Sequence, residues 1–291
     1  ATGTTLTETV TAEGGTAVLW VYPGISYGGR LTVADAAGTT LYEKELDYST
    51  CFSWTSVELY ADAGEVFHIT VENAQLFEVS LRSGAGAAAV SGGGAAFDEP
   101  DAVPTKISQL NSMYFDEIYH ARTGYEHAHS LYTYETTHPP LGKVFMSWCI
   151  DLMGMTPFAW RFAGTVTGIL MIPAIYLLAM QLMKRTRWAA LCALLLTVDC
   201  MHFTQTRIAT IDSFPVLFMM VMFLFMARWM QMSFYHQKLW KTLVPLFFSG
   251  VFMGLAIASK WIGCYGAVGL AVLFFSRFIT LYKQSVYAKQ H

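Results

Sequence analysis

The chain has 291 residues, 54% of them hydrophobic and only 13% charged, with a formal net charge of −3. Water-soluble domains carry about a quarter charged residues, so a large part of this chain suits lipid rather than water. The mild net charge gives no sign of nucleic-acid binding, and the scattered Cys51, Cys149, Cys192, Cys200 and Cys264 give no readable disulfide framework.

The first part reads as β. Residues 16–22, 30–34, 41–46, 52–59, 66–71 and 76–81 are short runs rich in Val, Thr, Phe and Tyr. Clusters such as Pro23-Gly24 and Asp62-Ala63-Gly64 separate them. Strands at this spacing predict an antiparallel β-sandwich over residues 1–82. Leu31-Thr32-Val33 and Val57-Glu58-Leu59 alternate apolar and polar, as a strand with one wet face should. Residues 83–96 are almost only Gly, Ala and Ser and read as a flexible linker. An acidic, Pro-containing lead-in completes the linker region at residue 104.

Residues 105–156 read as a loop region ending in a short helix. The loop holds Met113-Tyr114-Phe115-Asp116-Glu117-Ile118-Tyr119-His120-Ala121-Arg122 and Thr137-His138-Pro139-Pro140-Leu141-Gly142-Lys143. The helix, over 141–155, places Lys143, Ser147 and Asp151 at i, i+4 and i+8 on one stripe. It is shorter than the roughly 20 apolar residues that cross a bilayer, so an interfacial helix lying flat is expected. Five spans are then expected, at 158–183, 188–203, 214–232, 243–262 and 265–282. The fold class is a polytopic α-helical membrane protein, its helices over 157–291, with an N-terminal β-sandwich.

Basic residues orient it. Lys184, Arg185, Arg187, Arg228, Lys238, Lys241, Arg277, Lys283 and Lys289 fall on one side, and only Arg207 and Lys260 in the opposite loops. The positive-inside rule makes the first side cytoplasmic and places Asp116, His138 and the β domain outside, in an extracytoplasmic position. An outward β domain needs an earlier anchor or signal. The expectation is therefore a fragment that lacks a membrane anchor before Ala1 and further helices after His291.

Each candidate group has a plain structural alternative. Asp116-Glu117 suits a helix start, where carboxylates complement the dipole. Set among aromatics at a membrane surface, the pair would instead have its pKa raised toward that of a useful base. His138-Pro139-Pro140 is a rigid approach to a helix, and Lys143 and Lys260 are able to snorkel. Arg161 is either a snorkelling residue or a phosphate ligand. Asp199, His202, Arg207 and Asp212 cluster about one outward turn, where an Arg207–Asp212 ion pair is the structural alternative to a functional site. Carboxylates on a loop and cations at helix ends together fit glycosyl transfer from a lipid phosphate sugar.

These motifs, with Trp160-Arg161, Gln205-Thr206-Arg207-Ile208-Ala209-Thr210-Ile211-Asp212 and Ser259-Lys260-Trp261-Ile262-Gly263, stand in the order seen in protein O-mannosyltransferases. The resemblance covers roughly residues 113–282, and it implies a C-type glycosyltransferase fold. The β region resembles the discoidin-like or carbohydrate-binding-like domain of some bacterial members. The resemblance further implies Asp116 as catalytic base and Glu117 as acceptor-orienting. It implies Arg161 at the lipid phosphate, with Lys260, Arg207 and His138 as further donor-binding positions and Asp212 and Lys143 in support. The donor would be a polyprenyl or dolichyl phosphate mannose, the acceptor a Ser or Thr hydroxyl of an exported protein, and the reaction inverting. The setting would be a bacterial plasma membrane. No metal or other cofactor is implied, and the sequence shows no clear ligand cluster. Two rivals are a related transferase moving another sugar, such as arabinose, onto lipid A or a wall polymer, and a non-catalytic transport or glycan-binding membrane protein.

Overall fold

The structure is a computed structural model and describes residues 4–12, 14–83, 96–98, 100–234 and 238–290. Most of the expected Gly/Ala/Ser linker, residues 84–95, lies outside the described residues. The chain divides into two compact units, Ala1–Ile118 and Tyr119–His291.

Among the described residues, the first unit holds one five-stranded antiparallel sheet, its strands joined in a single hydrogen-bonded network. Its strands are β1 (Thr5–Thr11), β2 (Gly15–Asp35), β3 (Thr40–Leu46), β4 (Thr55–Ala61) and β5 (Val66–Ser83). The order is β1-β5-β2-β3, with β4 also paired to β2. The expected strands 16–22 and 30–34 are one strand, as are 66–71 and 76–81. Pro23-Gly24 does not end β2 but marks register shifts at Tyr22/Pro23, Pro23/Ser26 and Ser26/Arg30. A proline lacks the ladder N–H, so it is tolerated where the pairing is already broken by a bulge. A Cβ on Gly24 would lie 2.2 Å from the Phe77 ring, so only glycine fits this corner.

Through the bend, residues 15–21 of β2 pair with β4 and residues 29–34 with β3. Both halves contribute to one core: Leu19, Val21, Val57 and Val79 from one, Leu31, Val33, Ile69 and Val71 from the other. Strand β4 alternates strictly, with Thr55, Val57, Leu59 and Ala61 turned inward. Strand β1 was not expected from sequence because it buries only Val10 fully; cross-strand contacts such as Thr7–Thr70 and Thr9–His68 help hold it. On the outer face Trp20, Trp54 and Val103 pack together, and Arg82 donates to the Val103 carbonyl at 2.9 Å.

Helix α1 (Glu117–Ala128) bridges the division in sequence. The second unit continues with α2 (Leu141–Met153), α3 (Pro157–Met183), α4 (Thr186–Val198), α5 (Cys200–Gln205), α6 (Ser213–Met230), α7 (Leu239–Ser259) and α8 (Gly263–Gln290). Pro157 at the first helical position and the Thr156 hydroxyl, which accepts from the Ala159 N–H, start α3.

Among the described residues, four helices are long and apolar enough to cross a membrane: α3, α6, α7 and α8. The fifth expected span, 188–203, is broken. Helix α4 stops at Val198, and the Asp199 carboxylate accepts the His202 N–H at 2.7 Å to start α5. An N-capping side chain competes with continuation of the preceding helix.

Side chains at the helix ends show how the chain runs. The Gln181 amide donates to the Gln231 side chain at 2.8 Å, and Lys184 reaches the same oxygen. Near the other end the Thr165 hydroxyl donates to the Thr206 carbonyl at 3.1 Å. Helices α3 and α6 therefore run parallel, and α4 with α5 carry the chain back between them. Arg277 of α8 donates to the Met232 carbonyl at 3.0 Å, which puts it at the end that holds Lys184. That end is basic, and the opposite end carries the motif residues.

Candidate functional site

The Asp116-Glu117 pair sits in a tight turn. The Glu117 N–H donates to the Tyr114 carbonyl at 3.1 Å, and the Glu117 carboxylate accepts the Tyr114 N–H at 2.8 Å. This reciprocity resembles a capping box, in which an acid reaches back over the turn to satisfy a free donor. Glu117 is fully buried, and Phe115 holds a positive φ of 52° at the corner. The turn thus uses the Glu117 carboxylate itself. Asp116 is half-buried beside it, and exposed Tyr114 and Phe115 flank it.

In the second unit, His120, Arg122, Thr123, Glu126 and Lys143 are each under 5% exposed. Buried charges require partners, and Arg122, Glu126 and Lys143 have them. Arg122 Nε donates to Glu126 at 2.8 Å, and the guanidinium carbon Cζ lies 4.2 Å from the Tyr134 ring centre. The other Glu126 oxygen accepts the Tyr134 N–H at 2.7 Å, which fixes the loop leading to Glu135.

Glu135 is the hub of the next layer. Its carboxylate accepts from the Thr137 N–H at 2.8 Å, the His138 N–H at 3.1 Å, the Thr137 hydroxyl and Lys143 Nζ. Lys143 also donates to the carbonyls of Glu135 and His138, at 2.9 and 3.1 Å. Burial pushes the Glu135 carboxyl up, but hydrogen bonds from Lys143 and Thr137 and the Lys143 charge outweigh it and hold it at about 2. The His120 ring approaches this carboxylate at 4.0 Å. Burial, opposed by Glu135 and reinforced by Lys143, His138 and Lys260, pushes the His120 imidazole down to about 4. Its Nδ1 and that of His138 are buried without a hydrogen-bond partner among the described residues, and the two rings are 6.3 Å apart.

Lys143 therefore does not snorkel. The stripe of Lys143 and Ser147 faces inward with Met146 and Ile150, while Trp148 and Leu152 are exposed and Asp151 is at the surface. The helix can approach closely because residue 142 is glycine; a Cβ there would meet Phe214 and Ile211 at 3.0–3.1 Å.

The turn after α7 completes the cluster. Trp261 Nε1 donates to the Thr137 carbonyl at 3.0 Å, and Lys260 Nζ pairs with Asp212 at 2.6 Å. An Arg207–Asp212 pair, the structural alternative, is not what forms. The Arg207 guanidinium lies 3.7 Å from the Phe203 ring centre instead, at an exposed position. Arg161 is half-buried one turn into α3, and the Thr165 hydroxyl ties its carbonyl to that of Thr206. So His138, Lys143, Asp212 and Lys260 are joined through Glu135 and Trp261. Arg161 lies beside the 206–212 segment, which itself carries Arg207, and Asp116 and Glu117 belong to the other unit. Asp199 is spent as a cap. Among the described residues no group of three or more His, Cys, Asp or Glu is placed to hold a metal.

Residues 152–291 match the sequence profile of the family described as dolichyl-phosphate-mannose-protein mannosyltransferase. This segment is similar to protein mannosyltransferases. A polyprenol-phosphate-mannose–protein mannosyltransferase of Mycolicibacterium smegmatis is 31% identical over 169 residues, covering 53% of this chain and 32% of that protein. Its Mycobacterium tuberculosis counterpart is 29% identical over 154 residues, covering 46% and 30%. Dolichyl-phosphate-mannose–protein mannosyltransferase 4 of Saccharomyces cerevisiae is 22% identical over 188 residues, covering 58% and 24%. The chain thus spans about a third or less of the length of these curated relatives. No solved structure matches it significantly.

The mannosyltransferase motifs quoted from sequence left out Glu135 and, as an interacting group, Trp261. A signal for Glu135 existed: Lys143 shares a helical face with Met146 and Ile150 and so had to be buried, and Glu135 is the acid on the approach to that helix.

Proposed function

We propose that this chain belongs to an enzyme that moves mannose from a polyprenyl or dolichyl phosphate carrier to Ser or Thr hydroxyls of exported proteins. The observation that carries the reading is the clustering of Lys260–Asp212, His138 and Glu135–Lys143 at the less basic end of a bundle whose sequence matches protein mannosyltransferases. In this reading that end is extracytoplasmic, and the basic end with Lys184, Arg228 and Arg277 faces the cytoplasm.

The chemistry is one inverting displacement. The acceptor oxygen attacks the anomeric carbon, the bond from that carbon to the phosphate oxygen breaks, and the lipid phosphate leaves with the electron pair. Asp116 takes the acceptor proton. Arg161, Lys260 and Arg207 supply positive charge for the phosphate, where charge builds up as the bond breaks. Glu117, already holding its turn, orients the acceptor through Asp116.

The test is transfer from polyprenyl phosphate mannose to a Ser/Thr peptide by the complete natural polypeptide containing these residues, in liposomes. Asp116→Asn lowers the rate at least about a hundredfold, the scale of a lost general base. A rate near wild type removes Asp116 from the mechanism. Transfer of arabinose but not mannose moves the enzyme to the rival sugar class.

A further inference from the structure

Three sequence segments meet at one carbonyl. Glu135 holds the N–H groups of Thr137 and His138, Lys143 holds the carbonyls of Glu135 and His138, and the Thr137 carbonyl between them accepts Trp261 Nε1. Trp261 follows Lys260 directly, and the turn bearing both is short: Gly263 N–H donates to the Lys260 carbonyl and Cys264 N–H to that of Trp261, each at 3.0 Å. A Cβ on Gly263 would lie 2.6 Å from the backbone of Ala256, so this turn is pressed against the end of α7. Lys260 is held by its N–H, which donates to the Ala256 carbonyl at 3.1 Å, by this turn and, through its ammonium, by the Asp212 carboxylate.

We infer that Glu135 is a positioning residue: by fixing the Thr137 carbonyl for Trp261, it sets the turn that aims Lys260. The Trp261 ring is 58% exposed, so packing alone does not hold it, and the hydrogen bond to Thr137 is what orients it. A buried carboxylate that accepts four hydrogen bonds is a stiffer anchor than any one of them, because loss of one leaves the others in place. Glu135 reaches no substrate atom in this scheme; it acts through Thr137 and Trp261.

Two arms test it. The first is hydrogen exchange of the intact chain in detergent and does not depend on activity. Glu135→Gln and Trp261→Phe each speed amide exchange at 263–265 by at least about fivefold, the loss of one hydrogen bond, with the middle of α3 unchanged. Unchanged exchange at 263–265 in Glu135→Gln overturns the proposal. Should Glu135→Gln not fold, Trp261→Phe decides from the other side: the amides of Thr137 and His138 exchange faster, and their continued protection is the overturning result. The second arm rests on the transfer reading above. Each variant raises the donor KM about tenfold with kcat within threefold, and the double variant raises it no further, because both remove the same link. Effects that multiply to about a hundredfold show independent roles and overturn it. Absence of transfer by the wild type counts against the functional reading alone, and the exchange arm still decides the coupling.

Discussion

Lys143 and Glu135 form a buried ion pair eight residues apart, and the lysine donates to the glutamate's own carbonyl as well as to its carboxylate. The ammonium is satisfied three times over, by two carbonyls and one carboxylate, at 1% exposure. That arrangement closes the loop containing His138-Pro139-Pro140 onto the first turn of α2.

Removing one partner should therefore be costly. Lys143→Met leaves the Glu135 carboxylate buried without its cation, with an expected loss of about 3–5 kcal/mol. Adding Glu135→Leu to the same chain recovers part of that loss, because neither charge of this pair then remains. Thermal unfolding in detergent, with exposed Lys283→Met as the reference near zero, measures both.

The pH dependence has a definite sign. His120 titrates at about 4 in the folded chain against 6.5 when free, so between those values the unfolded chain binds a proton that the folded chain refuses. Its contribution is present above about 6.5 and is lost as pH falls toward 4. Glu135, held at about 2 against 4.5, continues the same trend from 4.5 downward. The melting temperature of the helical unit should drop from pH 7 to pH 4.5, and His120→Asn should flatten the upper part of that curve. A profile as steep in the variant as in wild type assigns the loss to other groups.

Two glycines should respond in opposite ways. Gly263→Ala forces a methyl to within 2.6 Å of the Ala256 carbonyl carbon and the Ile257 nitrogen, and overpacking of this kind costs about 1–3 kcal/mol. Gly250, inside α7, has nothing within 4 Å of the added carbon, so Gly250→Ala should be neutral or stabilise by up to about 1 kcal/mol through helix propensity. Parallel thermal melts of the two variants check the ordering.

The Lys260–Asp212 pair lends itself to a binding measurement. Lys260 is 22% and Asp212 42% exposed in their side chains, so the pair adds only about 0–1 kcal/mol to stability. Asp212→Asn should leave the melting temperature within a degree or two. If Lys260 serves a phosphate, the same change should alter the donor KM severalfold while Lys260→Met raises it further. A large fall in melting temperature for Asp212→Asn marks the pair as structural instead.

How far the sequence reached differs between the units. Apolar runs located α3 and α6 to within two residues and α7 to within four because lipid exposure demands continuous hydrophobicity, which leaves a plain mark; α8 runs eight residues past the expected end at 282, through a polar stretch that carries no such mark. The break at Asp199 was harder to see, since the run around it is apolar and one carboxylate reassigns a single N–H. Pro23-Gly24 misled for the opposite reason: in an isolated chain it is a turn signal, and only the long-range pairing of β2 with β5 makes it a bulge. Lys143, Lys260 and Asp212 stood out as charged residues in suspicious places. Their partners depended on which loops meet, and local sequence does not carry that information.

The bent sheet has a consequence for how the first unit is made. Strands β2 and β5 each serve both halves, so neither half survives removal of the other, and the unit must form in one cooperative step. Strand β1 pairs with the near half of β5, Val10 facing Phe67, so it closes only after more than fifty intervening residues have been laid down. Non-local closure of that kind slows folding. Until β5 arrives, a strand with nowhere to dock is the exposed edge on which misassembly would begin.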